Sequence, residues 1–143
     1  MTLQERQLIF LLRWWVGLFT ATGVVFAVWP TEVIYWINAV GKSIFSWPYA
    51  TLPMPVEHFW QILAVSLLAV LVVTAFLAQH DIRQNYNYVV LIIVSKLVTT
   101  LGYLSAVIFS GPYFAYVTGM AVDFIILVLT WFCYSRAVGS RVI

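Results

Sequence analysis

A lysine interrupts one of the most apolar stretches of the chain, LIIVSKLVTTLGY at residues 91–103. An unpaired ammonium in hydrocarbon costs from about 2.5 kcal/mol to well above 10, so such a residue normally faces the protein interior and finds a partner. The next apolar segment, joined by a very short turn, supplies one acid, Asp123 in YVTGMAVDFIILV. At about 1.5 Å per residue the two positions fall at similar depths of antiparallel neighbours. The sequence therefore predicts an ion pair between Lys96 and Asp123.

Other polar residues share this predicted intramembrane cluster. Thr99, Thr100 and Tyr103 lie on the face or flanks of Lys96, where their oxygens are expected to satisfy the remaining donors of the ammonium. Arg13, in the first apolar segment, is a second candidate partner for this cluster. Such a cluster is either a proton path, ion path or substrate site, or a polar clasp that fixes the register of the helices. The sequence leaves both interpretations open.

Small residues predict where helices approach one another. Ala115, Gly119 and Asp123 recur at four-residue spacing, which is typical of a helix face that packs closely against another helix. Gly17 and Ala21 form a second patch of this kind in the first segment. We therefore expect Asp123 to face protein rather than lipid.

A second polar group, Glu57 and His58 in MPVEHFWQ, precedes Gln61 by one helical turn. The simple interpretation is that Glu57 complements the dipole at a helix amino terminus while His58 lies at the membrane interface. The alternative is a proton acceptor, or a histidine that binds haem or a metal. His80 cannot complete a haem site with His58, because the two lie about 33 Å apart along one helix. No metal site and no catalytic residue is predicted, and an enzymatic activity is not expected.

The composition identifies the environment of these residues. Of the 143 residues, 64% are hydrophobic and only 8% are charged, and the mean hydropathy is +0.99. These values are typical of a membrane protein. The net charge is only +2 and the basic residues are scattered, so nucleic acid is not an expected partner. The single cysteine, Cys133, excludes an internal disulfide and a CxxC pair.

Four apolar segments reach the roughly 20 residues that a membrane-spanning helix needs. They cover residues 8–29, 58–79, 88–110 and 113–133. The first is too long for a signal peptide and is expected to remain as an anchor. We predict an all-α, polytopic four-helix bundle, a single transmembrane domain over residues 1–143, with an additional amphipathic helix between the first two spans.

That additional helix is predicted at about residues 32–46, within PTEVIYWINAVGKSIFSW. Val33, Trp36, Ile37, Val40 and Ile44 fall on one helical face. The opposite face is polar and contains Glu32, Tyr35, Asn38 and Lys42. Such a helix is expected to lie in the outer interface, and the proline-rich stretch WPYATLPMP to run extended back to the second span. The result is an interfacial lid that includes Trp36, Asn38, Lys42 and Trp47.

The segment RWWVGLFTATGVVFAVWP, with an arginine at its start, internal glycines and a Trp-Pro exit, resembles the small four-helix bacterial membrane proteins of the DoxX-like type. The resemblance covers the spans but not the long outer connection. It implies a bacterial inner membrane and an accessory role, and it contributes no catalytic motif.

These features favour an accessory or structural subunit that packs laterally in a membrane protein complex, since almost no soluble mass remains for other contacts. The alternatives are a transporter of protons, ions or a small solute that uses Lys96 and Asp123, and a protein that binds lipid or quinone beneath the lid. The expected partners are membrane lipids and other membrane subunits or further copies of the chain. No cofactor is predicted, apart from the lipid or quinone of the last alternative.

The distribution of basic residues predicts the orientation. Arg6, Arg13, Arg83, Arg136 and Arg141 fall on one side of the spans, and only Lys42 falls on the other, so the positive-inside rule places both termini in the cytoplasm. In cysteine-labelling experiments, Arg83→Cys should be labelled from the cytoplasm and Lys42→Cys from outside. Labelling of position 83 from outside would contradict this topology.

Overall fold

The computed structural model describes residues 1–54 and 59–140. Within them the chain forms five α-helices: α1 (Leu3–Val28), α2 (Pro30–Ser43), α3 (Phe59–His80), α4 (Tyr86–Ser110) and α5 (Phe114–Gly139). Helices α1, α3, α4 and α5 are each long and apolar enough to cross a membrane. The predicted all-α class with four apolar helices is thus confirmed.

Helix α1 begins five residues before the predicted span because its start is capped. The Thr2 hydroxyl accepts a hydrogen bond from the Glu5 amide at 3.2 Å, and the Glu5 carboxylate accepts one from the Thr2 amide at 2.7 Å. This reciprocal arrangement satisfies two amides that a helix start would otherwise leave without a partner. The spacing Thr2-x-x-Glu5 is readable in the sequence, but hydropathy alone does not detect it.

The four apolar helices form an up-down bundle in which α1, α3, α4 and α5 are neighbours around a ring. Helix α1 packs along α3, and α4 packs along α5, while α3 with α4 and α1 with α5 close the ring. Both termini and the turn at residues 81–85 lie at one end, which we call the terminal end. Helix α2 and the turn between α4 and α5 lie at the other, the α2 end. Sequence neighbours are therefore antiparallel, as short connections require.

The fully buried side chains lie mainly in the half of the bundle nearest the terminal end. Leu8 and Leu12 of α1, Ala75 of α3, Ile92 of α4 and Ala137 of α5 are all completely buried there. Lys96 and Phe19 lie near the middle of the bundle. Between this level and the α2 end, Phe114 is the only buried residue among the described residues of the four long helices. The tightly packed core is thus confined to one half of the bundle.

The turn between α3 and α4 is part of this core rather than a purely solvated loop. Ile82 is 1% exposed. The Arg83 guanidinium donates to both oxygens of the fully buried Glu5 carboxylate, at 3.2 and 3.3 Å. This hydrogen bonding, together with the negative charge of Glu5, raises the pKa of the Arg83 guanidinium. The pair attaches the start of α1 to the turn 78 residues later in the chain.

Helix α2 starts with Pro30 at its first position, where the missing amide hydrogen costs nothing. It packs across the α2 end on α5 and α1. A Cβ added to Gly41 would lie only 2.7 Å from the Phe114 ring, so α2 approaches α5 as closely as it does because residue 41 is glycine. The Trp47 indole donates to the Pro112 carbonyl oxygen at 2.9 Å and fastens the following segment to the same place.

The buried face of α2 differs from the predicted one. Val33 is buried as expected, but Ile34 and Gly41 complete the packed face. Trp36, Val40 and Ile44 point away from the bundle and are 48%, 38% and 70% exposed. The prediction assumed one apolar face, whereas the contact with α5 is made by a glycine that the apolar pattern does not include.

The proline-rich connection is held against α2 by one side chain. The Asn38 amide donates to the Leu52 carbonyl oxygen at 2.9 Å, and its oxygen accepts from the Leu52 amide at 3.1 Å. The Asn38 side chain thus makes two hydrogen bonds to the Leu52 backbone, one as donor and one as acceptor, as a neighbouring β-strand would. Residues 47–54 are not helical, as expected for a segment with several prolines.

Gly41→Ala tests the close contact between α2 and α5. The added methyl would meet the Phe114 ring, and such overpacking typically costs about 1 to 3 kcal/mol. Thermal unfolding in detergent should therefore show a lowered midpoint. Gly17→Ala is the matched control, because nothing lies within 4 Å of a Cβ built there. Equal midpoints for the two variants would contradict the contact.

Candidate functional site

Lys96 and Asp123 form an ion pair in the middle of the bundle. Lys96 Nζ lies 2.7 Å from Asp123 Oδ1, and the side chains are only 8% and 13% exposed. The turn that joins α4 to α5 passes through Gly111 at φ 106°, a conformation that glycine adopts without the penalty of a Cβ. The predicted contact is confirmed.

The aromatic ring of Phe19 in α1 lies next to the ammonium of the pair. The ammonium lies 5.0 Å from the centre of the Phe19 ring, which is 2% exposed. A cation over an aromatic face is attracted by the quadrupole of the ring, and more strongly where water is excluded. The pair is thus covered by a ring from a helix that is not its sequence neighbour.

Arg13 does not join this cluster, contrary to the prediction. It is exposed on the outer side of α1. The reason is geometric, since Trp15 is buried against the bundle and a residue two positions away in a helix lies about 200° around the axis. Gly17 and Ala21 are exposed as well, and nothing lies within 4 Å of a Cβ built at Gly17.

Thr99 and Thr100 also differ from the prediction. Both hydroxyls donate to the Lys96 backbone carbonyl oxygen, at 3.2 and 2.7 Å, instead of accepting from the ammonium. Threonine in a helix commonly bonds the carbonyl three or four residues earlier, and this local bond competes with a tertiary one. The described hydrogen bond of the ammonium is the one to Asp123.

Gly119 brings α5 against α4 one turn from Asp123. A Cβ at this position would lie 2.7 Å from the Tyr103 ring, so Tyr103 is seated directly on the backbone of α5. The close approach predicted from the small-residue spacing is present at Gly119, with Ala115 partly buried one turn further along.

Three tyrosines extend from this point towards the α2 end. The Tyr103 and Tyr116 rings lie 6.4 Å apart, and those of Tyr116 and Tyr113 lie 5.4 Å apart. All three are only partly buried. This tyrosine row links the ion pair to the end of the bundle that carries α2.

A second polar contact lies on the terminal side of the pair. The Trp15 indole donates to the Thr130 hydroxyl at 2.9 Å, and that hydroxyl donates to the Ile126 carbonyl oxygen at 2.6 Å. Thr130 is completely buried. The sequence did contain a signal, because Thr130 follows Asp123 by seven residues and therefore shares its helical face.

The other predicted polar group is only partly described. Gln61 donates to the Ala27 carbonyl oxygen at 3.2 Å, which joins the start of α3 to the end of α1. Glu57 and His58 lie outside the described residues. In the described ranges, no three histidine, cysteine, aspartate or glutamate residues cluster to hold a metal ion.

Two cavities lie at the ends of the bundle. One, of about 410 Å³, is at the terminal end and is lined by Thr2, Glu5, Arg83 and Ser140. The other, of about 440 Å³, lies between α2 and the extended connection. Its lining consists of Tyr35, Asn38, Ala39, Lys42, Thr51, Leu52, Pro53 and Met54. Trp36 and Trp47 of the predicted lid are not in that lining.

The described groups around the pair can hold or move a proton or an ion. Lys96 and Asp123 neutralise each other, and the groups that surround them are an aromatic ring, phenols and hydroxyls. Cys133, the single cysteine of the chain, lies nearly three turns beyond Asp123 on α5. The residues are therefore suited either to a structural clasp or to proton exchange along the tyrosine row.

Comparison of the chain with protein-family models, with curated proteins and with solved structures finds no match. The resemblance to DoxX-like proteins stays a prediction. The chain is a multi-pass membrane protein by its four candidate spans.

A double-mutant cycle tests the ion pair. Lys96→Met or Asp123→Leu alone leaves an uncompensated charge in a low-dielectric interior, which should cost about 3 to 5 kcal/mol for a fully buried pair. The double variant should be clearly more stable than either single variant. Thermal unfolding of the four proteins in one detergent measures the coupling, and strictly additive losses would contradict a direct interaction.

Proposed function

We propose that this chain is an accessory or structural subunit that packs laterally against other membrane proteins, with Lys96 and Asp123 acting as an internal clasp. The short contact between Lys96 and Asp123 is the observation that supports this proposal most directly. The ammonium and carboxylate are 2.7 Å apart and Phe19 covers the ammonium. A pair that is already neutralised inside one chain fixes the register of α4 against α5 and offers little charge to a solute.

The distribution of mass supports a lateral role. The described connections between the spans are short, apart from α2 and its extension, which fold back on the bundle. The large apolar side chains on the outer faces of the four long helices are exposed in the isolated chain, as at Phe109 and Phe124. These faces are the main surface through which such a chain can contact lipid or another membrane protein.

Helix α2 is proposed to lie in the outer membrane interface of a bacterial inner membrane, with both termini in the cytoplasm. The exposed Trp36, Val40 and Ile44 form an apolar strip beside the face that packs on α5, while Glu32 and Lys42 are exposed and charged. This three-sided pattern suits a helix that touches protein, lipid and water at once.

Transport of protons, ions or a small solute is the second candidate, and the tyrosine row favours it. Tyr103, Tyr116 and Tyr113 run from the ion pair towards the α2 end. Asp123 retains 13% of its side-chain exposure, so the carboxylate is not fully enclosed. In this mechanism Lys96 would release Asp123 when a proton or another cation takes its place.

One pair of measurements separates the two candidates. The Lys96→Met, Asp123→Leu double variant removes the charges while keeping side chains of similar size. If the pair is a clasp, a tagged double variant in mild detergent should retain the membrane proteins that co-purify with the unmodified chain. If the pair transports protons, the variant should still assemble, but proteoliposomes should lose the pH change that the unmodified chain produces under an applied potential.

Tyr103→Phe tests the tyrosine row in the transport arm, because it removes one hydroxyl and preserves the ring on Gly119, and flux should fall if the row carries protons. An unmodified chain that purifies without any protein partner and without self-association would contradict the subunit proposal. An unmodified chain with no flux above that of empty liposomes would contradict transport.

A further inference from the structure

Arg13 has an unusual position on the surface of α1. It lies ten residues after Leu3, about 15 Å along the helix, and it is exposed. Its surface neighbours Phe10 and Trp14 are 63% and 64% exposed, and their rings meet edge to face at 6.3 Å. If α1 crosses a membrane, Arg13 faces lipid at a depth where its neighbours are apolar.

The charge of Arg13 has to be balanced from outside the described chain. A guanidinium does not lose its proton in a protein, so burial cannot neutralise it as it can a lysine. The two described ion pairs are those of Arg83 with Glu5 and Lys96 with Asp123, and neither includes Arg13 or Arg6. The described residues thus leave the Arg13 charge available to an anion from the surroundings.

The direction of the side chain favours lipid phosphate as that anion. Side chains on an α-helix lean towards its amino terminus, and α1 begins at the terminal end. A long arginine side chain at position 13 can thus extend along the helix towards the nearest head-group layer while its methylene groups stay in hydrocarbon.

Arg6 completes the arrangement from the other side. It is exposed and lies seven residues before Arg13, hence on the same face and about 10.5 Å away along the axis. Phe10 and Trp14 occupy the same stripe, and aromatic rings of this kind favour head-group depth. We propose that Arg6, Phe10, Arg13 and Trp14 bind the phosphate of an anionic phospholipid in the leaflet at which α1 begins.

The proposal is tested by titrating phosphatidylglycerol and phosphatidylcholine into the full-length protein in mild detergent and counting bound lipids by native mass spectrometry. Arg13→Gln and Arg6→Gln should each weaken phosphatidylglycerol binding about fivefold, the effect of roughly one basic residue near an anionic surface. Arg13→Lys should fall between these variants and the unmodified chain, because it keeps the charge but not the planar donor fork. Phosphatidylcholine binding should change little.

Arg136→Gln is the matched control, since it removes the same charge near the terminal end, where Arg136 lies 5.0 Å from the Phe132 ring. Equal losses in Arg136→Gln and Arg13→Gln would overturn the proposal, because overall charge would then explain both. Unchanged lipid binding in Arg13→Gln would also overturn the proposal. If the oligomeric state of that variant changed at the same time, Arg13 would be assigned to a carboxylate of another chain. Displacement of the lipid by millimolar inorganic phosphate would show a site for free phosphate instead.

Discussion

The charge of Lys96 is the constraint around which the middle of the bundle is arranged. A single ammonium in an apolar interior is too costly to leave without a partner, and the nearest antiparallel helix supplies Asp123. The pair in turn requires α4 and α5 to approach closely, which Gly119 permits by accepting the Tyr103 ring on its backbone. Phe19 then fixes where α1 meets the other two helices. One charge thus determines the relative placement of three spans.

A second charged pair performs a similar task at the terminal end. Glu5 is completely buried, and its carboxylate accepts hydrogen bonds from the Arg83 guanidinium and the Thr2 amide. Removing Arg83 would take two donors away from a buried carboxylate, a costlier change than losing an exposed pair. The Lys96–Asp123 pair joins the neighbouring helices α4 and α5. The Glu5–Arg83 pair joins the start of α1 to the turn between α3 and α4.

The sequence predicts these features to different degrees, for physical reasons. Four long apolar runs are sufficient to predict four helices, and matching depths on consecutive helices are sufficient to predict the contact of Lys96 with Asp123. The partner of Glu5 is not predictable in this way, because Arg83 is distant in the chain and its approach depends on how α1 packs. The error at Arg13 has the same origin, since helical phase relative to Trp15, and not depth, decides which side of α1 enters the bundle. Thr99 and Thr100 were misassigned because a local bond to the Lys96 carbonyl oxygen competes with any tertiary one.

Packing is unequal along the bundle axis, and the ion pair lies at the boundary. Towards the terminal end, fully buried side chains such as Leu12 and Ile92 fill the interior. Towards the α2 end, the inward residues of α4 and α5, among them Tyr103 and Val117, are only partly buried. Because local opening is cheapest where few apolar contacts are lost, we expect the α2 half to open before the core does. The clasp and transport proposals therefore rest on the same feature of the bundle. The ion pair borders the packed half that it helps to hold together, and it is also the first polar group that opening of the α2 half would expose.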